Sequence, residues 1–319
     1  MNQSPPSRRC FPAILPVLLA LLISIGFWLS IQCYFIPVTR GGDRNAYLLG
    51  GRMLAEGHFG GVTPPDAYMN FGQHWVEIRP GRLALKFPLG LPSIYALIDV
   101  IGGRANWPAD AHELSPIAAS LAVLGAFALM RPIVGDYYAL LGSLLLAASP
   151  VTFFFANLPN SHATALCVAV WGMTMLLSWW RNGGAWRAVI AGLILGFNFT
   201  VRYTEGLLLL PLILVIIFAK RKTFSPGAFQ KRNGLVILPL LAWLVPVSAQ
   251  CLYNLLVLHH LTGYGLTHES TAFGPANFSH NWPTMLSDLY DGGLFFVLPL
   301  SVLGALLMFS TNWRLAAVL

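Results

Sequence analysis

Long uncharged stretches separated by short polar ones dominate the chain. An uncharged run from Cys10 to Thr39 exceeds the ~20 residues that a helix needs to cross a bilayer. Further apolar segments lie at 88–103, 114–130, 134–148, 161–180, 186–201, 206–219, 234–256 and 293–309, about nine in all. No Asp, Glu, Lys or Arg occurs from Tyr137 through Trp180, and Ser149-Pro150 and Pro159-Asn160 are the expected breaks in that run. The longest polar interruption is Arg40 to Pro92. Within it Ala46, Tyr47, Leu49, Met53 and Leu54 recur at three- and four-residue steps, which predicts an amphipathic helix over 43–57 lying along the membrane surface. Asp43 serves it as N-cap or first-turn acid and Gly57 as its stop.

Composition agrees. Hydrophobic residues make up 56% and charged residues 10%, with a mean hydropathy of +0.66, against roughly 25% charged in soluble domains. The expectation is an all-α integral membrane protein, one transmembrane domain over 1–319. The net charge of +7 is spread over short loops with no basic stripe, so it reads as a topology signal and not as a nucleic-acid site. Cys10, Cys33, Cys167 and Cys251 sit in or beside apolar segments without metal-ligand spacing and read as small hydrophobes.

Arg8 and Arg9 ahead of the first segment place the N-terminus in the cytoplasm of a multi-pass inner-membrane protein, with the 40–87 loop outside. Arg181 and Arg187, and then Lys220, Arg221, Lys222, Lys231 and Arg232, mark cytoplasmic connections, whereas the 257–292 loop has acids but no Lys or Arg and reads as external. A conflict follows. An odd number of crossings must separate the first loop from Lys220, yet six apolar segments lie between them. One of the two short segments, 88–103 (which contains Asp99) or 134–148, is expected not to cross.

The acids Asp43, Glu56, Asp66, Glu77 and Glu205 gather at the external side with Arg79, Arg82, Lys86 and Arg202 beside them. Transport through the bilayer more often places ionisable groups near the midplane. Chemistry at the external surface fits this distribution better.

Three stretches then carry a resemblance. They are Asp43, Tyr47 and Leu54-Ala-Glu-Gly57; Gly81-Arg82 to Lys86-Phe-Pro88-Leu-Gly90-Leu-Pro92; and Gly192-x-x-x-Gly196 followed by Thr200-Val-Arg202-Tyr-Thr-Glu205-Gly206-Leu-Leu. Leu252-Tyr253-Asn254 with Thr262-Gly263-Tyr264-Gly265 is a softer match. In order and spacing the sequence resembles the GT-C class of polytopic glycosyltransferases, which includes the protein O-mannosyltransferases and the aminoarabinose-to-lipid-A transferase.

That resemblance implies a GT-C-like helix bundle and inverting transfer of a sugar from a polyprenyl-phosphate carrier to a lipid, glycan or protein acceptor. Asp43 would be the general base, or a carboxylate linked to a divalent cation, and Lys86 and Arg202 would hold the lipid phosphate. Arg44, Tyr47, Glu77, Arg82, His162 and Glu205 are the expected supporting residues. The residue types suit the chemistry, because a positioned carboxylate activates a hydroxyl and fixed cations stabilise a phosphate leaving group. A flippase of polyprenyl-linked sugars, or a non-catalytic scaffold, is the alternative. The sequence departs from the class at Arg44, where many members carry a second acid, and in the Arg202-Tyr-Thr-Glu205 spacing. The chain also ends before the further spans common in the class.

Overall fold

The structure, a computed structural model, describes residues 14–35, 42–63, 74–103, 107–220, 236–263, 275–294 and 297–319. Asp66, Glu269, His268 and the expected cytoplasmic cluster of Arg221, Lys222, Lys231 and Arg232 lie outside these residues.

The chain is mostly helical, as its patterning predicts. In order it forms α1 (Ile14–Gln32), α2 (Gly42–Ala55), a hairpin of β1 (Trp75–Arg79) and β2 (Arg82–Leu85), α3 (Gly90–Gly102), α4 (Ala109–His112) and α5 (Leu114–Val134). There follow α6 (Asp136–Ala147), α7 (Pro150–Ala156), α8 (Ser161–Asn182), α9 (Ala185–Val201), a 3-10 turn (Tyr203–Leu208) and α10 (Leu209–Lys220). After these come α11 (Leu238–Tyr253), a π turn (Asn254–Leu258), α12 (Pro275–Asp288) and α13 (Val297–Val318).

The apolar segments are not all spans. Among the described residues five helices are long and apolar enough to cross a membrane: Ile14–Gln32, Ala109–Val134, Ser161–Asn182, Leu238–Leu258 and Leu298–Val318. The expected break at Ser149-Pro150 is present, and α6 and α7 meet there at 60°, together long enough for a sixth. Gly90–Gly102, Ala185–Val201 and Tyr203–Ala219 are shorter. At 1.5 Å per residue the 13 residues of α3 reach ~20 Å, well short of a hydrocarbon core of ~30 Å. The 17 residues of α9 come to ~25 Å, near the minimum for a span.

Three hydrogen bonds fix which helix ends lie together. Gln32 Nε2 donates to Glu113 Oε2 at 2.7 Å, joining the end of α1 to the start of α5. Arg181 Nη1 donates to the Pro132 carbonyl at 2.6 Å, joining the ends of α8 and α5. Asn198 Nδ2 donates to the Ala165 carbonyl at 3.1 Å, bringing the end of α9 to the first turn of α8. One end of the bundle therefore gathers Gln32, Glu113, Ser161 and Arg202, and the other gathers Arg131 and Arg181. If α3 stays at the first end and α6 with α7 count as one crossing, then α5, α6–α7, α8, α9 and the longer unit Tyr203–Ala219, in which the 3-10 turn runs on into α10, give the odd number that the charge pattern demands.

The amphipathic helix forms where its periodicity places it, and Gly57, at φ +81°, stops it. Its apolar face does not lie open to lipid. Met53 and Leu54 pack with Trp75 and Leu85, and Tyr47 and Leu48 pack with Leu91 and Tyr95. Gly51 permits this, because a Cβ there would stand 2.5 Å from Tyr95 Cβ and 3.3 Å from the Pro92 carbonyl. α3 and the hairpin fold back and cover that face, so it is protein and not lipid that the stripe meets.

The hairpin itself departs from the all-α expectation. Trp75 pairs with Leu85, Val76 with Ala84 and Glu77 with Leu83, antiparallel across a turn at Pro80-Gly81. The Gly192/Gly196 stripe packs α9 on α11, with Pro239, Ala242 and the Trp243 carbonyl against the two glycines. Close backbone approach of this kind is what small residues four apart allow in a membrane bundle.

Candidate active site

The first turn of α2 carries Asp43, where the helix dipole favours a carboxylate. The side chain is 61% exposed and its Oδ1 lies 2.7 Å from His74 Nε2, on a ring only 13% exposed. His74 immediately precedes β1, and its carbonyl accepts from the Lys86 N–H at 3.0 Å, so the hairpin sets its position. The imidazole stacks on Phe87 (centroids 5.2 Å, planes 20° apart), and Tyr47 stacks on the same ring at 4.5 Å and 18°. Phe87 therefore locks α2 and the hairpin together beside the Asp43–His74 pair.

Tyr47 links this unit to the bundle. Its hydroxyl donates to Ser161 Oγ at 3.3 Å, at the start of α8. That helix is capped by Asn160, whose side-chain oxygen accepts from the His162 N–H at 3.1 Å. The His162 ring lies flat on Phe155 at 4.0 Å, and its Nδ1 is buried without a hydrogen-bond partner. Arg202 ends α9 in an extended conformation, held by its N–H to the Asn198 carbonyl at 2.9 Å.

Asp43 and Arg202 bear on the same neighbours. Burial pushes the Tyr47 phenol up, Arg202 draws it back down and Asp43 pushes it further up. His162 lies within electrostatic reach of both charges as well. A carboxylate from the first loop and a guanidinium from the end of α9 thus flank one cluster of Tyr47, Ser161 and His162.

The other expected residues scatter. Glu205 joins the edge of the cluster, since Asn198 Nδ2 donates to its Oε2 at 3.4 Å and Arg202 acts on it electrostatically. Lys86 is half-buried where β2 ends, next to the His74 backbone. Arg44 is half-buried on α2. Glu77 is exposed and accepts from the Gly81 N–H at 2.7 Å, which ties the hairpin turn. Arg82 sits at that turn, at the end of the hairpin away from Asp43.

Sequence reasoning missed His74, Phe87 and a polar network behind Arg202. In that network Gln250 Nε2 donates to Asn254 Oδ1 (2.8 Å) and to the Tyr203 hydroxyl (3.3 Å), and Gln250 Oε1 accepts from the Leu89 N–H (2.9 Å). The alternating Trp75-Val-Glu-Ile-Arg-Pro-Gly-Arg-Leu-Ala-Leu run was the available signal for a hairpin that would carry His74 back to α2. Asp43 and His74 are both metal-ligating types. Among the described residues, however, no three His, Cys, Asp or Glu side chains are grouped to hold an ion.

Residues 88–247, from just before α3 into α11, match the model of the dolichyl-phosphate-mannose-protein mannosyltransferase family. The chain belongs to that family. No curated protein matches it. Membership makes this a membrane glycosyltransferase of the GT-C type and points to a lipid-linked donor. The matched stretch contains His162, Arg202 and Glu205 but neither Asp43 nor His74, so the case for those two rests on the geometry around them.

Proposed function

We propose that the protein transfers a sugar from a polyprenyl-phosphate carrier to a hydroxyl acceptor at the external membrane face. The observation that supports this reading is the Asp43–His74 pair at 2.7 Å, joined through Phe87 and Tyr47 to Ser161 at the start of α8, with Arg202 near enough to act electrostatically on Tyr47 and His162. His74 Nε2–H donates to Asp43 Oδ1 and leaves the other carboxylate oxygen to take the acceptor's proton. The acceptor oxygen then attacks the anomeric carbon from the face opposite the phosphate, the bond from carbon to phosphate oxygen breaks, and the anomeric configuration inverts. Negative charge grows on the departing lipid phosphate. Arg202, with a planar fork suited to phosphate, stabilises it, and Lys86 adds a second cation.

Purified protein in nanodiscs, supplied with a panel of polyprenyl-phosphate sugars and hydroxyl acceptors with and without a chelator, tests the reading. Product of inverted configuration that disappears in Asp43→Asn is the expected result. Translocation of the carrier that persists in Asp43→Asn, without any product, would favour a flippase instead.

A further inference from the structure

The hairpin tip and the π turn after α11 flank an open, solvent-facing pocket of about 180 Å³ lined by Gly60, Ile78, Arg79, Arg82, Val257 and His259, among others, with Arg79, Arg82 and His259 exposed. Since ~10–15 Å³ of such space already holds a water, this is room for a phosphate group and attached waters. We propose that this cavity is a binding site for an oxyanion of phosphate type, carried by the acceptor and separate from the leaving phosphate of the donor.

Three observations support the assignment. Arg79 and Arg82 are register partners across the Pro80-Gly81 turn. Like charges directly opposite on paired strands repel, and a bound anion removes that cost. Among the described residues no carboxylate stands within ion-pair distance of Arg79, Arg82 or His259, and Glu77 is tied to the Gly81 N–H. Backbone geometry shapes the walls. His259, with φ 60°, caps the end of the π turn, and this left-handed stop turns the chain at the pocket's edge. Gly60 lets the Arg82 guanidinium lie close, since a Cβ there would be 3.1 Å from Nη2.

Distance separates this site from the transfer chemistry. His74 and Lys86 stand at the open end of the hairpin, Arg79 and Arg82 at its tip. At ~3.3 Å per strand residue the two ends are roughly 13–16 Å apart. A sugar phosphate places its phosphorus next to the anomeric carbon, so a donor aligned on Asp43 cannot also reach the tip. The anion at the tip belongs to the second substrate. That step rests on the function proposed above, but the binding site itself does not.

The test reads binding without requiring transfer. Full-length protein in neutral phosphatidylcholine nanodiscs is treated with phenylglyoxal alone, with inorganic phosphate, or after incorporation of phosphatidic acid, and modification of Arg79 and Arg82 is followed by peptide mass spectrometry. Protection of both arginines, several-fold and weakened in His259→Gln, is expected. Protection by inorganic phosphate identifies a site open to soluble anions, and protection by phosphatidic acid alone identifies a headgroup site. Modification unchanged by either anion overturns the proposal. Protection without any detectable sugar transfer would leave the anion site standing and count against the transferase reading alone.

Discussion

His74 Nε2 and Asp43 Oδ1 stand 2.7 Å apart, although one residue precedes a strand and the other opens a helix. The contact exists because Phe87 is stacked between His74 and Tyr47. Asp43→Asn keeps the shape and removes the proton acceptor, so kcat falls by ~10²–10⁴. His74→Ala leaves the base present but unaligned and lowers kcat by up to roughly 100-fold, with KM for the donor little changed. His74→Gln, which can still donate to the carboxylate, recovers part of that loss. Equal loss in the Ala and Gln variants, or a loss confined to KM, would count against the positioning role.

Arg202 is expected to act in the transition state more than in donor binding. Arg202→Ala lowers kcat by roughly 10²–10³, the scale for removing one group that stabilises developing charge. Arg202→Lys recovers only a fraction, because a point charge does not reproduce two-pronged contact with phosphate. Steady-state kinetics with a polyprenyl-phosphate sugar decide it: full rescue by Lys would show that charge alone is used.

Much of this was legible in the sequence, and the parts that were not share a cause. The greasy stripe of α2, its stop at Gly57 and the Ser149-Pro150 break follow from local periodicity and backbone preference, and all appear in the structure. Asp43 and Arg202 were legible as a carboxylate and a guanidinium at loop ends. His74 was not, because its place beside Asp43 depends on strand pairing between Trp75 and Leu85 and on a shared ring, Phe87. The destination of the α2 stripe was hidden for the same reason. Periodicity shows that a face must be covered, but only tertiary contacts show that Tyr95 and Leu85 cover it in place of lipid.

The α2–α3 contact tolerates little added volume. A side chain at position 51 would drive into Tyr95, itself fully buried. Gly51→Val is expected to destabilise by about 1–3 kcal/mol, the usual penalty of overpacking. It should also reduce activity by displacing Tyr47 and Asp43 on the same helix. Thermal unfolding in detergent, with Gly57→Ala as a comparison where nothing lies within 4 Å but φ is positive, separates steric from backbone effects.

Asp99 is 4% exposed on α3, its Oδ1 has no hydrogen-bond partner, and Arg52 Nε approaches its Oδ2 at 3.9 Å. Arg52 also pairs with Glu56 at 2.9 Å, and it is partly exposed, so the Asp99 contact is loose. Leaving a buried carboxylate without its cation is costly; for a loose contact with solvent screening, Arg52→Ala costs about 0.5–1 kcal/mol. Asp99→Asn removes the charge that needs compensation. In a double-mutant cycle the Asn background should absorb most of the Arg52→Ala cost, whereas additive effects would mean the two side chains do not interact.

The orientation of the whole site depends on α3 remaining at one end of the bundle. The 13 residues of α3 are too short to span, and the segment after it leads through α4 to Glu113, bonded to Gln32 at the end of α1. His58 before α3 and Ala109 after it are therefore expected on one side, and Tyr137, after α5, on the other. In a background with the native cysteines replaced, His58→Cys and Ala109→Cys should react with a membrane-impermeant maleimide from the same side of sealed vesicles. Tyr137→Cys should react only after the vesicles are opened or inverted. If His58→Cys and Ala109→Cys label from opposite sides, α3 crosses after all, the number of crossings before Lys220 becomes even, and Arg202 can no longer share a face with Asp43.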